Sequence, residues 1–144
     1  MASLRDIETA ILQRLSLLRS GAAGAFRSVG GLAGRSAARV VEHLRHQRKP
    51  AVLVRYGVRK RTSTGLSVQW EFYVAVEGLR GAEEARLGAD GVVGMHALLD
   101  LMRENLDGTR LPCGVRLGFV NEAAVADDGR LLVFQQTYEV EDGG

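Results

Sequence analysis

A stretch of strict two-residue alternation near the middle of the chain constrains the fold more than any other feature. Over residues 68–77 every second side chain is a large apolar one, namely Val68, Trp70, Phe72, Val74 and Val76. This is the period of a β-strand that turns one face to a core. A β-branched, largely apolar run at 51–56 precedes it, and the polar residues 59–65 separate the two runs. We therefore predict an antiparallel hairpin whose polar turn is strongly basic.

Apolar residues at steps of three and four before this hairpin predict an amphipathic helix over about residues 3–19. Ser3 stands where its N-cap would be, and Asp6 lies in its first turn. The following segment, 21–35, is rich in Gly and Ala. We expect it to be irregular, with loops around one short strand.

Two more helices are indicated by the same kind of spacing. One starts near Ser36 and ends before the basic stretch 45–50, which Pro50 closes, and the other starts at Asp90 as N-cap and stops at Gly108. The charged connection between Gly78 and Gly88 is expected to be a loop with a short helical turn at most.

The last third of the chain predicts further strands. Leu117 and Phe119 indicate one, and an alternating run over about 132–140 indicates a long final one, with a turn at 127–130. The acidic end, 139–144, is expected to be a flexible tail. The fold class is therefore α+β: a mixed, mainly antiparallel sheet of about four to five strands flanked by two to three helices, in a single domain over 1–144.

Composition limits the class of protein. The chain has 144 residues, of which 46% are hydrophobic and 25% charged, which is typical of one globular domain rather than a disordered chain or a coiled coil. Its apolar runs are too short to cross a bilayer, and its N-terminus lacks a signal-peptide pattern. The single cysteine, Cys113, has no partner for a disulfide within the chain, and we expect it to be structural.

A search for catalytic groups gives no convincing set. His43 and His46 are three residues apart, but no further ligands with metal-site spacing accompany them. The adjacent acidic pairs, Glu83 with Glu84 and Asp127 with Asp128, fall in predicted connections. We therefore expect no enzyme activity, no metal ion and no cofactor.

Charge is distributed unevenly along the chain. Residues 1–64 carry 13 Lys and Arg against 3 Asp and Glu, whereas residues 65–144 carry 6 against 14. This split allows three interpretations. The basic half binds nucleic acid, or two opposed faces of opposite charge attract further copies of the chain. In the third interpretation the charges of both halves intermix on the folded surface and neutralise each other. A small nucleic-acid-binding module stays an alternative, because Tyr56 and Trp70 lie near the cations of the hairpin.

Five segments, taken together and in this order, cover nearly the whole chain and point to a known family. They are Ile7-Glu8-Thr9-Ala10-Ile11, Pro50-Ala51-Val52-Leu53-Val54-Arg55-Tyr56-Gly57, Trp70-Glu71-Phe72-Tyr73-Val74, the helix after Gly94, and Val133-Phe134-Gln135-Gln136-Thr137-Tyr138. In combination they resemble a family of minor tail proteins of Mu-like bacteriophages and prophages, of the tail-terminator (tail-completion) type.

The resemblance implies a structural subunit of a contractile phage tail. Such proteins form a ring, usually a hexamer, that caps the tail tube once the tube has reached its length. The implied partners are other copies of the chain, the tail tube, the sheath as a further candidate, and the head-side connector. Genomic DNA would be only cargo in the lumen, no membrane is involved, and the protein would reside in the virion tail after assembly in the host bacterial cytoplasm. A head-side connector (head-completion) protein is the alternative within this class.

A ring would give the uneven charge a use, because each copy meets its two neighbours through different surfaces. We predict an interface with a basic and an acidic side. The basic side consists of Arg55, Arg59, Lys60 and Arg61. The acidic side consists of Glu139, Glu141 and Asp142.

Overall fold

The computed structural model describes residues 3–20, 23–32, 39–63, 65–78, 82–88 and 94–141. The helices are α1 (Leu4–Leu17), α2 (Val40–Arg45), α3 (Ala82–Leu87) and α4 (Met95–Leu106). The strands are β1 (Arg19–Ser20), β2 (Ala23–Gly24), β3 (Ser28–Gly31), β4 (Ala51–Thr62), β5 (Gly65–Glu77), β6 (Leu117–Asp127) and β7 (Leu131–Glu141). The predicted α+β class is confirmed.

Five strands form one mixed sheet in the order β3-β4-β5-β7-β6. β3 lies parallel to β4, and the remaining neighbours pair antiparallel. β4 and β5 form the predicted hairpin, and β1 and β2 form a separate two-stranded sheet. When β4 runs upwards, β5 runs downwards, β7 upwards and β6 downwards.

The main core lies between one face of this sheet and the helices α1 and α4. The five alternating side chains of β5 are all buried there, as predicted, together with Ile7, Ile11 and Leu15 of α1. Burial of each such side chain stabilises the fold by about 1.5–3 kcal/mol. α1 begins as predicted: the Ser3 hydroxyl oxygen accepts a hydrogen bond from the Asp6 N–H at 3.1 Å.

A second apolar cluster covers part of the opposite face of the sheet. Val40 and Leu44 of α2 pack there against Leu53, Tyr73 and Val133. The sequence predicts one buried face for β5, but Tyr73 and Ala75, which belong to its other face, are also buried. The difference arises because α2 folds back over this end of the sheet.

Two helices begin later than the sequence predicts. α2 starts after Arg39, and the predicted cap Ser36 lies outside the described residues. α4 has Gly94 as its N-cap, and the predicted cap Asp90 also lies outside them. A Cβ at Gly94 would come within 2.4 Å of the backbone of Gly88, so the close approach of the end of α3 requires glycine there.

The remaining differences concern the lengths of elements. β6 extends to Asp127, well past the predicted strand. β7 includes residues 139–141, because Val140 pairs with Val68 of β5 and Leu117 of β6. The flexible tail predicted from residue 139 is therefore wrong for 139–141, while 142–144 lie outside the described residues. In the segment 21–35, the described part contains β2 and the predicted short strand, β3.

The turn between β6 and β7 forms where the sequence predicts it. The Asp128 carboxylate accepts hydrogen bonds from the N–H groups of Arg130 at 3.1 Å and Leu131 at 2.7 Å. Gly129 has a φ of +90°, a conformation that favours glycine. This turn fixes the register between the last two strands.

Candidate interaction surface

The outer side of β4, the side away from β5, pairs with β3 over the first part of its length. β3 pairs with residues 51–54 and ends there, whereas β4 continues to Thr62. In the part of the chain that the structure describes, no strand pairs with residues 55–62 on the side away from β5. Tyr56 and Val58 in this segment are 38% and 52% exposed. We call residues 55–62 the free half of β4, because no described strand pairs with its outer backbone groups, which form a sheet edge in the described part of the chain.

The predicted basic residues Arg59, Lys60 and Arg61 lie in this free half. They belong to the strand and not to the turn, since the hairpin register continues to the pair Thr62 and Gly65. All three side chains are exposed. The prediction of a basic turn is wrong for these residues because a solvated strand edge accepts charged side chains as readily as a turn does.

Arg55 is separated from the other three cations by a β-bulge between Tyr56 and Arg59. Its Nε lies 3.6 Å from Glu71 Oε1, and the Tyr73 hydroxyl donates to Glu71 Oε2 at 3.2 Å. Burial, followed by the Glu71 charge, raises the pKa of Tyr73 to about 12. Arg55 therefore neutralises a carboxylate of its own subunit on the sheet face.

The predicted acidic residues lie at the end of β7. Glu139 accepts a hydrogen bond from the Ser67 hydroxyl, Glu141 is the last residue of the strand, and Asp142 lies outside the described residues. Ser67 pairs with Lys60 on one side and with Glu141 on the other. The basic and acidic ends thus lie at the same end of one sheet, with only β5 between them.

β6 forms the opposite edge of the sheet, and its role as a surface is not predicted by the sequence. Residues 120–125 are all exposed, with Val120 and Val125 at 41% each. Bulges interrupt its pairing with β7 between Phe119 and Asn121 and between Ala124 and Ala126. Its alanines and single glutamate carry little strand signal, so only the pairing with β7 reveals this second edge.

Behind β6, a polar network crosses the core. Gln136 is fully buried; its Nε2 donates to the Leu99 carbonyl at 3.1 Å and to Glu122 Oε1 at 2.8 Å. The Tyr138 hydroxyl donates to Gln136 Oε1 at 2.8 Å. Burial raises the pKa of Tyr138 well above its ordinary value. These bonds satisfy buried polar groups and hold β6 and β7 against α4.

A cleft of about 330 Å³ lies at the start of β6. Phe119 forms part of its lining, carries the Arg103 guanidinium 4.4 Å from its ring centre, and donates its N–H to Asp107 at 2.9 Å. These groups therefore bind each other within the subunit and hold the start of β6 against the end of α4.

Among the described residues, no group of three or more His, Cys, Asp and Glu side chains is arranged to hold a metal ion. Within the same part of the chain, no helix has both the length and the apolar content to cross a membrane. His46 Nε2 lies 3.4 Å from Glu42 Oε1 on α2, and Cys113 is half-buried against the main core.

The described sheet has two different outer edges. A known protein family matches the sequence that forms it. The family described as bacteriophage Mu, Gp37, matches residues 3–135. The chain belongs to the bacteriophage Mu Gp37 family. The resemblance to a Mu-like phage protein is thereby confirmed. Membership supports a phage structural protein that is part of the virion.

The matched region of the Gp37 family contains both sheet edges. It includes the free half of β4 and all of β6, and it ends within β7 before Glu139 and Glu141. No curated protein matches the chain. The family features therefore lie in the sheet and its helices, and the acidic end lies outside them.

Proposed function

We propose that the chain is a structural subunit of a phage tail that forms a ring, terminates the tail tube and joins it to the head-side connector. The Gp37 family match across residues 3–135 carries this proposal, and the resemblance of the five segments to tail terminators supports the finer role. The protein acts through its surfaces and without catalysis. Its partners are further copies of itself, the tube and the connector.

The position of the charged ends supports a ring. Copies in a ring are related by rotation about the ring axis, so a given residue has the same position along that axis in every copy. Neighbouring copies therefore contact each other through two complementary patches that lie at the same height on different sides of each copy. The exposed Arg59, Lys60 and Arg61 and the strand end at Glu139 and Glu141 lie at the same end of the sheet. Opposite charges placed in this way favour the head-to-tail contact over the flipped one.

Electron microscopy of a phage that lacks this gene tests the role. A terminator stops growth of the tube, so its loss predicts tails of uncontrolled length without heads, and a plasmid copy of the gene restores defined tails. Tails of normal length that fail to join heads would show a head-side connector instead. Normal virions from the deletion strain would contradict both roles.

A nucleic-acid-binding module is the second candidate, and exposed Tyr56 beside the basic residues is the observation that favours it. Trp70, the other aromatic residue considered for base stacking, is 1% exposed and packs in the core. A single aromatic residue is a small stacking platform. Binding of single-stranded DNA that weakens steeply with salt, and that is lost on Tyr56→Ala, would support this candidate.

A further inference from the structure

We infer that copies of this chain join through edge-to-edge β-sheet pairing, with the free half of β4 in one copy antiparallel to β6 of the next. The inference rests on the proposed ring and names the contact that builds it. The occupant of each edge is therefore a second copy of this chain.

The backbone of β4 is oriented for such pairing. The Val54 carbonyl accepts a hydrogen bond from Leu32 N–H at 2.9 Å on the outer side of the strand. Because backbone groups alternate along a strand, Tyr56, two residues later, directs its N–H and carbonyl to the same outer side. β3 has already ended at this point. In the described part of the chain, the edge therefore offers hydrogen-bonding groups to an added strand.

The strand directions make head-to-tail addition antiparallel. β4, β5, β7 and β6 alternate in direction, so the first and last of these strands run oppositely. A rotation about an axis along the strands turns each copy without inverting it. β4 of one copy then meets β6 of the next as the antiparallel neighbour that continues the alternation. Every junction between neighbouring copies in a closed ring then has the same antiparallel pairing of β4 with β6.

Charge favours this contact over pairing of identical edges. A two-fold contact between two β4 edges would bring the basic residues Arg59, Lys60 and Arg61 of both copies together, and like charges on neighbouring strands are destabilising. Pairing β4 with β6 at the same height instead places them at the start of β6, where Arg116 is accompanied by Asp107 and, one strand further, by Glu139. Tyr56 lies at the height of Phe119, so the exposed Tyr56 and Val58 likewise meet the part of the edge that carries exposed Val120.

Cysteine cross-linking tests the contact. Val58→Cys is combined in turn with a cysteine at each position from 118 to 125, all in a Cys113→Ala background, and the full-length proteins are oxidised. Within one copy, β4 and β6 are three strand spacings apart, about 14 Å. A disulfide needs Cα atoms within about 7 Å, so any bond between the two positions joins different copies. Leu17→Cys replaces Val58→Cys in the control series, because Leu17 is an exposed apolar residue on α1.

We expect cross-linked oligomers of increasing size, up to one largest size that corresponds to a closed ring. They should form with a cysteine at one or two adjacent positions of β6. The control series should not form them. The position that reacts reports the register. Rings seen by electron microscopy without any cross-link would overturn the edge pairing and leave the proposed ring intact. Cross-linked chains that never close would support the edge pairing and count against the ring.

Two other outcomes overturn the inference. Efficient dimer formation by Val58→Cys alone would show two-fold pairing of β4 edges. Equal cross-linking at all positions and in the control would show random collision. Val58→Lys offers an independent measurement, since a charge on a strand edge opposes pairing. It should weaken self-association by about tenfold or more relative to Leu17→Lys, and equal effects of the two variants would contradict edge pairing.

Discussion

At the scale of single residues, the buried amide of Gln136 links β7 to α4 and to β6. Replacement by alanine leaves the Leu99 carbonyl and the Tyr138 hydroxyl without these partners and opens a cavity. We expect Gln136→Ala to lower the free energy of unfolding by about 2–4 kcal/mol, measured by urea denaturation. Gln135→Ala is the control, because Gln135 is half-buried and its side-chain amide donates to the hydroxyl of Thr137 on the same strand. Equal losses for the two variants would contradict the role of the network.

Asp128 makes the stability of the fold depend on pH. The N–H groups of Leu131 and Arg130, and then the Arg45 side chain, lower the pKa of Asp128 from 3.8 to about 2. Since the folded state prefers the carboxylate, its contribution is present above pH 3.8 and is lost as the pH falls towards 2. Asp128→Asn should lower the melting temperature at neutral pH, with a difference from the wild type that shrinks over this range. A difference that stays constant from pH 5 to pH 2 would contradict this assignment.

At the scale of elements, the contact between the end of α3 and the start of α4 depends on Gly94. A Cβ there would lie 2.4 Å from backbone atoms of Leu87 and Gly88, which cannot move without displacing α3. Gly94→Ala should therefore destabilise the protein by about 1–3 kcal/mol or more in thermal or urea unfolding. Gly118→Ala on β6 is the matched control, since its new Cβ would approach nothing closer than 3.8 Å. Wild-type stability of Gly94→Ala would show that α3 does not pack as described.

The elements with a strong periodic pattern are the ones that the sequence predicts. The alternation in β5 and the helical spacing in α1 are confirmed because local pattern and tertiary burial agree there. β6 is longer than predicted because hydrogen bonds to β7, and not the propensity of its alanines, hold it in the sheet. The basic residues 59–61 are predicted as a site but placed in a turn, and the free edges are not predicted at all. A strand is an edge when no other strand pairs with one of its sides. The local sequence pattern of a strand does not show which strands lie beside it.

At the scale of the whole molecule, the charge of the β4 end should control assembly. The triple variant Arg59→Glu, Lys60→Glu, Arg61→Glu should weaken self-association by about tenfold or more, measured by light scattering over a range of concentrations. Salt should weaken association of the wild type, because it screens exposed charges. A second triple variant, Arg5→Glu, Arg110→Glu, Arg130→Glu, changes the net charge equally at other exposed positions. Equal effects of the two variants would attribute the change to net charge and contradict steering by the β4 end.

The location of the protein in the virion tests the central claim most directly. A phage whose gene is replaced by a copy with a C-terminal affinity tag, and whose infectivity is retained, would be labelled with gold particles against the tag and imaged by electron microscopy. We predict label at one place on each virion, the junction between head and tail, and at one end of isolated tails. Label along the tube, at the distal end of the tail, or absent from purified virions would contradict a subunit that terminates the tail tube.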